Sequence, residues 1–393
     1  MLRIMVEIAA KLRVGPKPLM AHIGLVGTAL EGRADAPECM ADMLRGIKRY
    51  QSIDYTPRPR PYQTVWRDGQ TSLRLVSTNF EVSEEALAAT QDVRDICVFV
   101  PSLINASDIL NLSEERSLAG FFADNGFHSF YFDWGNLCEE PAEFSIAALI
   151  ETRIAAALAW LRDAYPQARV HLFGYCMGGA LALGLAHLDQ LQKAPRKIAS
   201  LTLLATPWDF HAGFKTLLNR VKFWSPAALN SVRHAGFLAA DYLQSLFASI
   251  DPSLTQAKFS SFAKMQEESP EARVFVAVED WLNNGCNLPK IIAEECIEGW
   301  FFENKVAAGK WVIGGAAVQP ERLDIPVLVV ASQSDRIVEY ECALALYHAL
   351  CARQNGGAAA LLRPDCGHIG MIAGKRSVEK VWQPILAWMR GCF

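Results

Sequence analysis

The run Arg169-Val170-His171-Leu172-Phe173-Gly174-Tyr175-Cys176-Met177-Gly178-Gly179-Ala180 decides the fold. An apolar β-type stretch stops at Gly174, Gly178-Gly179 open an alanine- and leucine-rich helix, and a single cysteine stands at the bend. The pattern is a G-x-S-x-G nucleophile elbow with Cys in the serine position, a strained strand-to-helix turn that lifts one side chain above a sheet. Glycines there let the two backbones approach where a Cβ would clash. The helix N-terminus behind Cys176 favours a thiolate and offers free N–H groups to a developing oxyanion. A lone G-x-C-x-G reads more plainly as a tight turn with an inert cysteine, so the segments downstream must decide.

Pro326-Val327-Leu328-Val329-Val330-Ala331 reads as a buried strand, followed at once by Ser332-Gln333-Ser334-Asp335. Ala358-Ala359-Ala360-Leu361-Leu362-Arg363 is a further strand-like run, followed by Pro364-Asp365-Cys366-Gly367-His368-Ile369-Gly370. Nucleophile, acid and histidine in this chain order, each past the end of a strand, specify the α/β-hydrolase fold. Cys176 is then the nucleophile, His368 the base, and Asp335 the carboxylate that orients the imidazole. The oxyanion hole takes one backbone N–H from Met177 and a second from the loop after Val100, at Ser102 or Leu103, with Leu103 chosen. Asp209, just past another strand end, is the alternative acid. Asp365 occupies the turn before His368 and shapes it. His128 and His171 lie inside strand patterns, and His187, His211, His234 and His348 lie on helices or in an insertion without a motif.

The chain has 393 residues, 51% hydrophobic and 20% charged, with a net charge of −4. That balance gives no general attraction to nucleic acid. No apolar run reaches the roughly 18 residues of a membrane helix. Met1 to Leu12 has charges inside its apolar run and reads as an amphipathic helix rather than a signal peptide. The ten cysteines are scattered singly, with no C-x-x-C pair and no His-x-x-x-His. Reduced thiols in a cytoplasmic protein and no metal are the expectation.

Residues 1–67 read as an N-terminal helical segment ending in Pro57, Pro59 and Pro61, a solvated helix packed on the main domain. This segment holds 11 basic against 6 acidic residues. Residues 68–206 and 324–393 form the α/β core, a mostly parallel, doubly covered sheet. Ser72 to Val76 is its edge strand, and Ile96 to Val100, Ser129 to Phe132, Val170 to Phe173 and Leu201 to Leu204 are buried strands. Residues 207–323 are too many for a loop and read as an inserted helical cap, with helices over Ala235 to Ser249 and Leu288 to Phe302. Its aromatics (Trp208, Trp224, Trp281, Trp300, Phe301, Phe302, Trp311) serve as the cap's own core or line a channel over the strand ends.

Residues 95–375 resemble the polyhydroxyalkanoate synthases, particularly the short type with a separate partner subunit. Gly174-Tyr175-Cys176-Met177-Gly178-Gly179 is similar to their lipase-like box with its catalytic cysteine. Ser334-Asp335-Arg336-Ile337-Val338 is similar to their acid motif and Gly367-His368-Ile369-Gly370 to their histidine motif. Val100 to Leu118, Phe132-Asp133-Trp134-Gly135, Glu279-Asp280-Trp281-Leu282 and Phe302-Glu303-Asn304-Lys305 match further signatures. Two places depart: Ser107-Asp108-Ile109-Leu110-Asn111-Leu112 replaces a tyrosine-containing run, and Arg336 and Glu339 replace the usual His and Pro of the acid motif.

The resemblance implies transfer of hydroxyacyl groups from CoA thioesters to a hydroxyl, forming polyester, with hydroxyacyl-CoA and the polyester chain as partners. It implies a homodimer or small partner subunit, residence in the cytoplasm at the surface of polyester granules, and no cofactor beyond the CoA carried by the substrate. A thiol nucleophile suits this chemistry, because exchange between two thioesters is nearly isoenergetic and leaves the acyl group activated. Water reaching the same site would make a cysteine-dependent hydrolase, a thioesterase, esterase or depolymerase. A granule-associated protein with a relic triad is the third reading, which the intact Cys176, Asp335 and His368 oppose.

Overall fold

A computed structural model describes residues 13–76, 93–193, 198–213, 215–352 and 358–392. The helix expected over Met1 to Leu12 lies outside them. Eight strands form the main sheet: β1 Tyr62–Asp68, β2 Thr71–Val76, β3 Asp95–Val100, β4 His128–Asp133, β5 Arg169–Tyr175, β6 Ser200–Leu204, β7 Val327–Val330 and β8 Ala359–Leu362. Their spatial order is β1-β2-β4-β3-β5-β6-β7-β8. From β4 to β8 every neighbouring pair is parallel, and only the β1–β2 and β2–β4 pairs are antiparallel. This is the mostly parallel sheet expected of the α/β-hydrolase fold. The inner strands that read as continuous apolar runs are buried, all five residues of β6 among them, whereas β8 at the sheet edge is half-buried throughout.

Two expectations about the N-terminal region are corrected. Ser72 to Val76 is not the edge: β1 lies outside it, within the stretch read as helical. The three prolines end the helical part, and Tyr62-Gln63-Thr64-Val65-Trp66 then supplies the aromatic and β-branched residues a strand favours. The helices α1 Leu19–Leu30 and α2 Ala36–Ser52 pack on the inserted segment rather than on the sheet. Val26, Met43, Ile47 and Tyr50 share a small core with Phe259, Phe262 and Val276. Polar ties back this up: Tyr50 Oη donates to Asp280 Oδ1 at 2.7 Å, Arg13 Nε reaches the same oxygen at 2.8 Å, and Arg49 Nη1 donates to the Phe262 carbonyl at 2.8 Å.

After α3, Met177–Leu191, and β6, the chain leaves the sheet for a run of helices: α4 Lys215–Ala235, α5 Ala240–Ile250, α6 Pro252–Ala263 and α7 Pro270–Leu282. The helix expected from Ala235 is interrupted, because Gly236 at φ +81° breaks it and Phe237–Leu238 pair with Leu288–Pro289. Lys290–Glu294 runs on into Glu295–Phe302, which is wound as a π-helix. Wide turns of this kind recur at functional sites, and this one lies over the elbow described next. Among the described residues no helix is long and apolar enough to cross a membrane.

Candidate active site

The strand order reverses at β3 and β5, since the chain moves from β3 to β4 on one side and returns to β5 on the other. Open α/β sheets bind ligands in the crevice at such a reversal, beyond the carboxyl ends of the strands. Cys176 stands there, between the end of β5 and the first residue of α3, at φ 54° and ψ −127°. Positive φ at a non-glycine residue stores strain that its surroundings must hold. Three glycines provide the holding geometry. A β-carbon at Gly174 would collide with Gly178 and Gly179, one at Gly178 with the carbonyls of Val100 and Pro101, and one at Gly179 with Thr206. Gly178→Ala therefore drives a methyl group into two fixed carbonyl oxygens. The expected cost is about 1–3 kcal/mol, read as a lowered thermal midpoint together with lost activity. An unchanged midpoint would show that the β3 loop and α3 separate easily.

The structure brings together the three residues that chain order selects. His368 Nδ1 lies 2.7 Å from Asp335 Oδ2, and the ring's other nitrogen is left for Cys176, which is within hydrogen-bonding reach. All three side chains are buried. Asp335 is anchored through its second oxygen, which accepts from Ile337 N at 2.8 Å and Val338 N at 2.9 Å. Burial opposes a charged imidazole. The charge of Asp335, the Cys176 sulfur and the hydrogen bonds to both outweigh it and raise His368 to about 10. The site therefore favours an imidazolium beside the thiol sulfur. Beneath the imidazole, Tyr175 lies with ring centroids 5.1 Å apart, and its hydroxyl donates to the His368 carbonyl at 3.4 Å. Ser334 Oγ donates to Asp365 Oδ1 at 2.9 Å, so Asp365 ties the acid's loop to the histidine's loop.

Asp209 is occupied elsewhere. Its Oδ1 accepts from His211 N, Ala212 N and Asn304 Nδ2 at 2.9, 3.1 and 2.9 Å, and Asn304 Oδ1 receives Phe210 N at 3.0 Å. The Asn304 signature thus fastens the loop after β6. His171 is satisfied within the sheet, at 2.8 Å from Ser200 Oγ and 3.0 Å from Asp95 Oδ1.

The loop after β3 is held from two sides. Trp134 stacks on Phe132 and donates its Nε1–H to the Ser102 carbonyl at 3.1 Å. Asp133 accepts from Ser107 Oγ at 3.0 Å and Arg74 Nη2 at 2.6 Å. On the other side, Trp281 Nε1 donates to the Ala106 carbonyl at 2.7 Å, Asn105 Nδ2 to the Leu282 carbonyl at 3.2 Å, and Cys286 N to the Ile104 carbonyl at 2.8 Å. The early signature and the Trp281 signature therefore brace one loop. Ser102 shares a cavity wall with Cys176, whereas Leu103 borders a separate cavity with Trp134 and Cys286. Of the two residues offered for the second oxyanion donor, Ser102 is the one beside the thiol's cavity.

Two chambers meet at Cys176, and Ile104, Phe247 and Ile337 also belong to both walls. One is bordered by the elbow, α4, α5 and the π-helical turn, with Trp224, Trp300 and Phe301 in its lining. The other carries His368, Trp281 and the charged residues Lys17, Asp251, Lys258, Glu279 and Arg336. Four of the seven cap aromatics thus line a chamber. Trp208, Phe302 and Trp311 pack in the interior. Lys17 and His22 were not legible as site residues, because they reach the chamber only through the docking of α1 on the cap. His22 is fixed there by Thr255 Oγ1 at 3.1 Å, and burial, then the charge of Lys258, lower it to about 4. Among the described residues no cluster of His, Cys, Asp and Glu suits a metal ion.

The model of the α/β hydrolase fold matches residues 98–375. A poly(3-hydroxyalkanoate) polymerase subunit PhaC of Haloferax mediterranei is 24% identical over 332 residues, which are 84% of this chain and 63% of that protein. The subunit of the same name from Allochromatium vinosum is 24% identical over 332 residues, 84% of this chain and 88% of that one. Among solved structures, a thermostable carboxyl esterase from Bacillus coagulans aligns with a TM-score of 0.53 at 15% identity, covering 86% of this chain and 99% of that one. That last likeness is one of fold.

Proposed function

The chain belongs to the α/β-hydrolase fold family, and from that premise we propose that it is a polyhydroxyalkanoate synthase-like acyltransferase, moving hydroxyacyl groups from CoA thioesters onto a hydroxyl by a Cys176–His368–Asp335 triad. The observation that carries the reading is the buried imidazole, bonded to Asp335 and adjacent to a thiol at the junction of two chambers. Its similarity to named poly(3-hydroxyalkanoate) polymerases supports the polyester product.

In this reading the Cys176 thiolate attacks the thioester carbonyl. The carbonyl oxygen takes the developing charge against the Met177 N–H, one of the four N–H groups that a helix start leaves free. Ser102 supplies the second N–H. The C–S bond to CoA breaks, and the departing sulfur takes the proton of the His368 imidazolium. The neutral imidazole then removes the proton of an incoming 3-hydroxyl, whose oxygen attacks the Cys176 thioester. Cys176 leaves as thiolate, and His368, now protonated, restores the ion pair. CoA arrives with the substrate and no other cofactor takes part.

Incubation with 3-hydroxyacyl-CoA, with CoA release measured and polymer separated from free acid, tests this. CoA release giving only free hydroxy acid would replace the synthase by a hydrolase. The lid decides between the two outcomes, because water must be kept from the acyl thioester until a hydroxyl arrives. Trp281 carries that duty: its ring lines the His368 chamber and its Nε1–H fixes the β3 loop. Trp281→Ala should raise the share of free acid while CoA release continues. An unchanged product ratio in a folded variant would remove the lid from this role.

A further inference from the structure

Tyr175, the last residue of β5, touches the triad yet takes no part in the proton transfers between Cys176, His368 and the substrate. It is buried immediately before Cys176 and meets His368 twice. Its ring lies 5.1 Å from the imidazole, centroid to centroid, with the two planes 33° apart. At that separation two such rings overlap with an offset rather than meeting edge to edge. Its hydroxyl donates to the His368 carbonyl at 3.4 Å. Burial, then the charges of the Cys176 sulfur and Asp335, hold the phenol well above its ordinary value. It therefore stays neutral and moves no proton during turnover.

A neutral ring in this place can orient the imidazole and respond to its charge. Asp335 Oδ2 binds Nδ1, and Cys176 is within hydrogen-bonding reach of the other ring nitrogen. Both contacts lie at the edge of the imidazole and let it rock about the line that joins them. A contact on its face removes that freedom, and the hydroxyl steadies the backbone from which the imidazole extends. Charge acts through the same face. An aromatic face is negative and attracts a cation within about 6 Å of the ring centroid, more strongly where water is excluded. The imidazolium gains from this contact and the neutral imidazole does not. The other charges acting on the ring are those of Asp335 and the Cys176 sulfur. Elsewhere on the chamber wall Lys258 pairs with Glu279 at 2.7 Å and Arg336 lies 4.0 Å from Asp251, while Lys17 and the uncharged His22 share that wall. On the histidine's own turn, Asp365 is bound to Ser334 Oγ and Cys366 is half-buried. We infer that Tyr175 is a positioning residue for acyl transfer, its ring face holding the plane of His368 and stabilising the imidazolium, its hydroxyl securing the histidine's loop. This deepens the acyl-transfer reading, in which the imidazolium protonates the departing CoA.

The test compares rings of one outline and opposite faces in the whole protein. Tyr175→Phe removes the hydroxyl and keeps the face, whereas pentafluorophenylalanine placed at position 175 keeps the outline and reverses the face's polarity. Each is followed by NMR titration of the His368 imidazole, its signal identified by its loss in His368→Ala, and by the pH dependence of single-turnover CoA release. Tyr175→Phe should lower kcat/KM a few-fold, with the imidazole still titrating at about 10. The fluorinated ring should bring that titration down by about 0.5–1.5 pH units, and the basic limb of CoA release with it. The acid limb should stay in place, because the imidazolium is present both before and after the thiol ionises. Tyr175→Leu removes the face altogether, should act in the same direction, and replaces the fluorinated protein if that one does not fold by circular dichroism. An imidazole that titrates alike beside phenylalanine and beside its replacement overturns the inference and leaves Tyr175 as packing alone. Wild-type protein that releases no CoA overturns the acyl-transfer reading, and the imidazole titration then still decides for or against Tyr175.

Discussion

Cys176→Ala should release no CoA above background from any 3-hydroxyacyl-CoA, a loss on the order of 10⁴–10⁶-fold in turnover, with the fold intact. Alanine takes the same backbone conformation as cysteine at φ 54°, and the atom removed is the one facing the two chambers. Cys176→Ser should fail for a different reason. The buried imidazolium beside residue 176 is matched to a thiolate partner, and a hydroxyl resists ionisation far more strongly. Any acyl group that serine captured would be an oxoester and would have lost the activation of the thioester. Mass spectrometry of briefly reacted wild-type protein should place the acyl adduct on the tryptic peptide holding Cys176. Cys366 sits half-buried near His368, and Cys138 lies partly exposed beside Asn287. An adduct on either, with Cys176 unmodified, would remove the elbow cysteine from the chemistry.

The parts of the site that were legible in the sequence are the ones whose geometry is local. A strand, a tight glycine turn and a helix follow one another within a dozen residues, so the elbow is written continuously from Arg169 to Ala180. Asp335 and His368 were legible because each directly follows an apolar strand whose end the fold places at the same sheet edge. What stayed hidden depends on long-range packing. β1 is hidden because the prolines before it end a helical segment as readily as they open an extended one. The seat of α1 and α2 on the cap follows from Phe259, Phe262 and Val276 offering a second small core, and nothing in residues 13–60 announces which surface they cover. Lys17 and His22 entered the chamber wall by that docking. Which of Ser102 and Leu103 borders the thiol's cavity depends on the path of one loop, and alternation along a loop has no period to read. The cap's aromatics carried a genuine signal, yet only their positions in space separate those lining a chamber from Trp208 or Trp311.

Asp335→Asn should lower acyl transfer on the order of 10²–10⁴-fold while leaving the overall structure unchanged. The reason lies in how the carboxylate is used on both sides. One oxygen accepts from Ile337 N and Val338 N, and the other from His368 Nδ1. Asparagine has a single acceptor oxygen. Kept toward the two backbone N–H groups, it turns its amide hydrogens on Nδ1 and forces the proton to Nε2, so the imidazole can no longer accept from Cys176. Turned toward His368 instead, it leaves the two backbone donors facing an NH₂ group. The pH dependence distinguishes this from a general loss of packing. In the wild type burial lowers the imidazole's proton affinity, but Asp335 and Cys176 raise it to about 10, so the imidazolium that protonates departing CoA persists through neutral pH and its loss sets the basic limb. Removing the Asp335 charge leaves burial less opposed, and the basic limb of single-turnover CoA release should move toward neutrality. A variant with reduced amplitude and an unmoved limb would mean that Asp335 acts only by holding its loop. Full activity in Asp335→Asn together with loss in Asp209→Asn would transfer the acid's role to Asp209, which would first have to give up Asn304 and the turn it now caps.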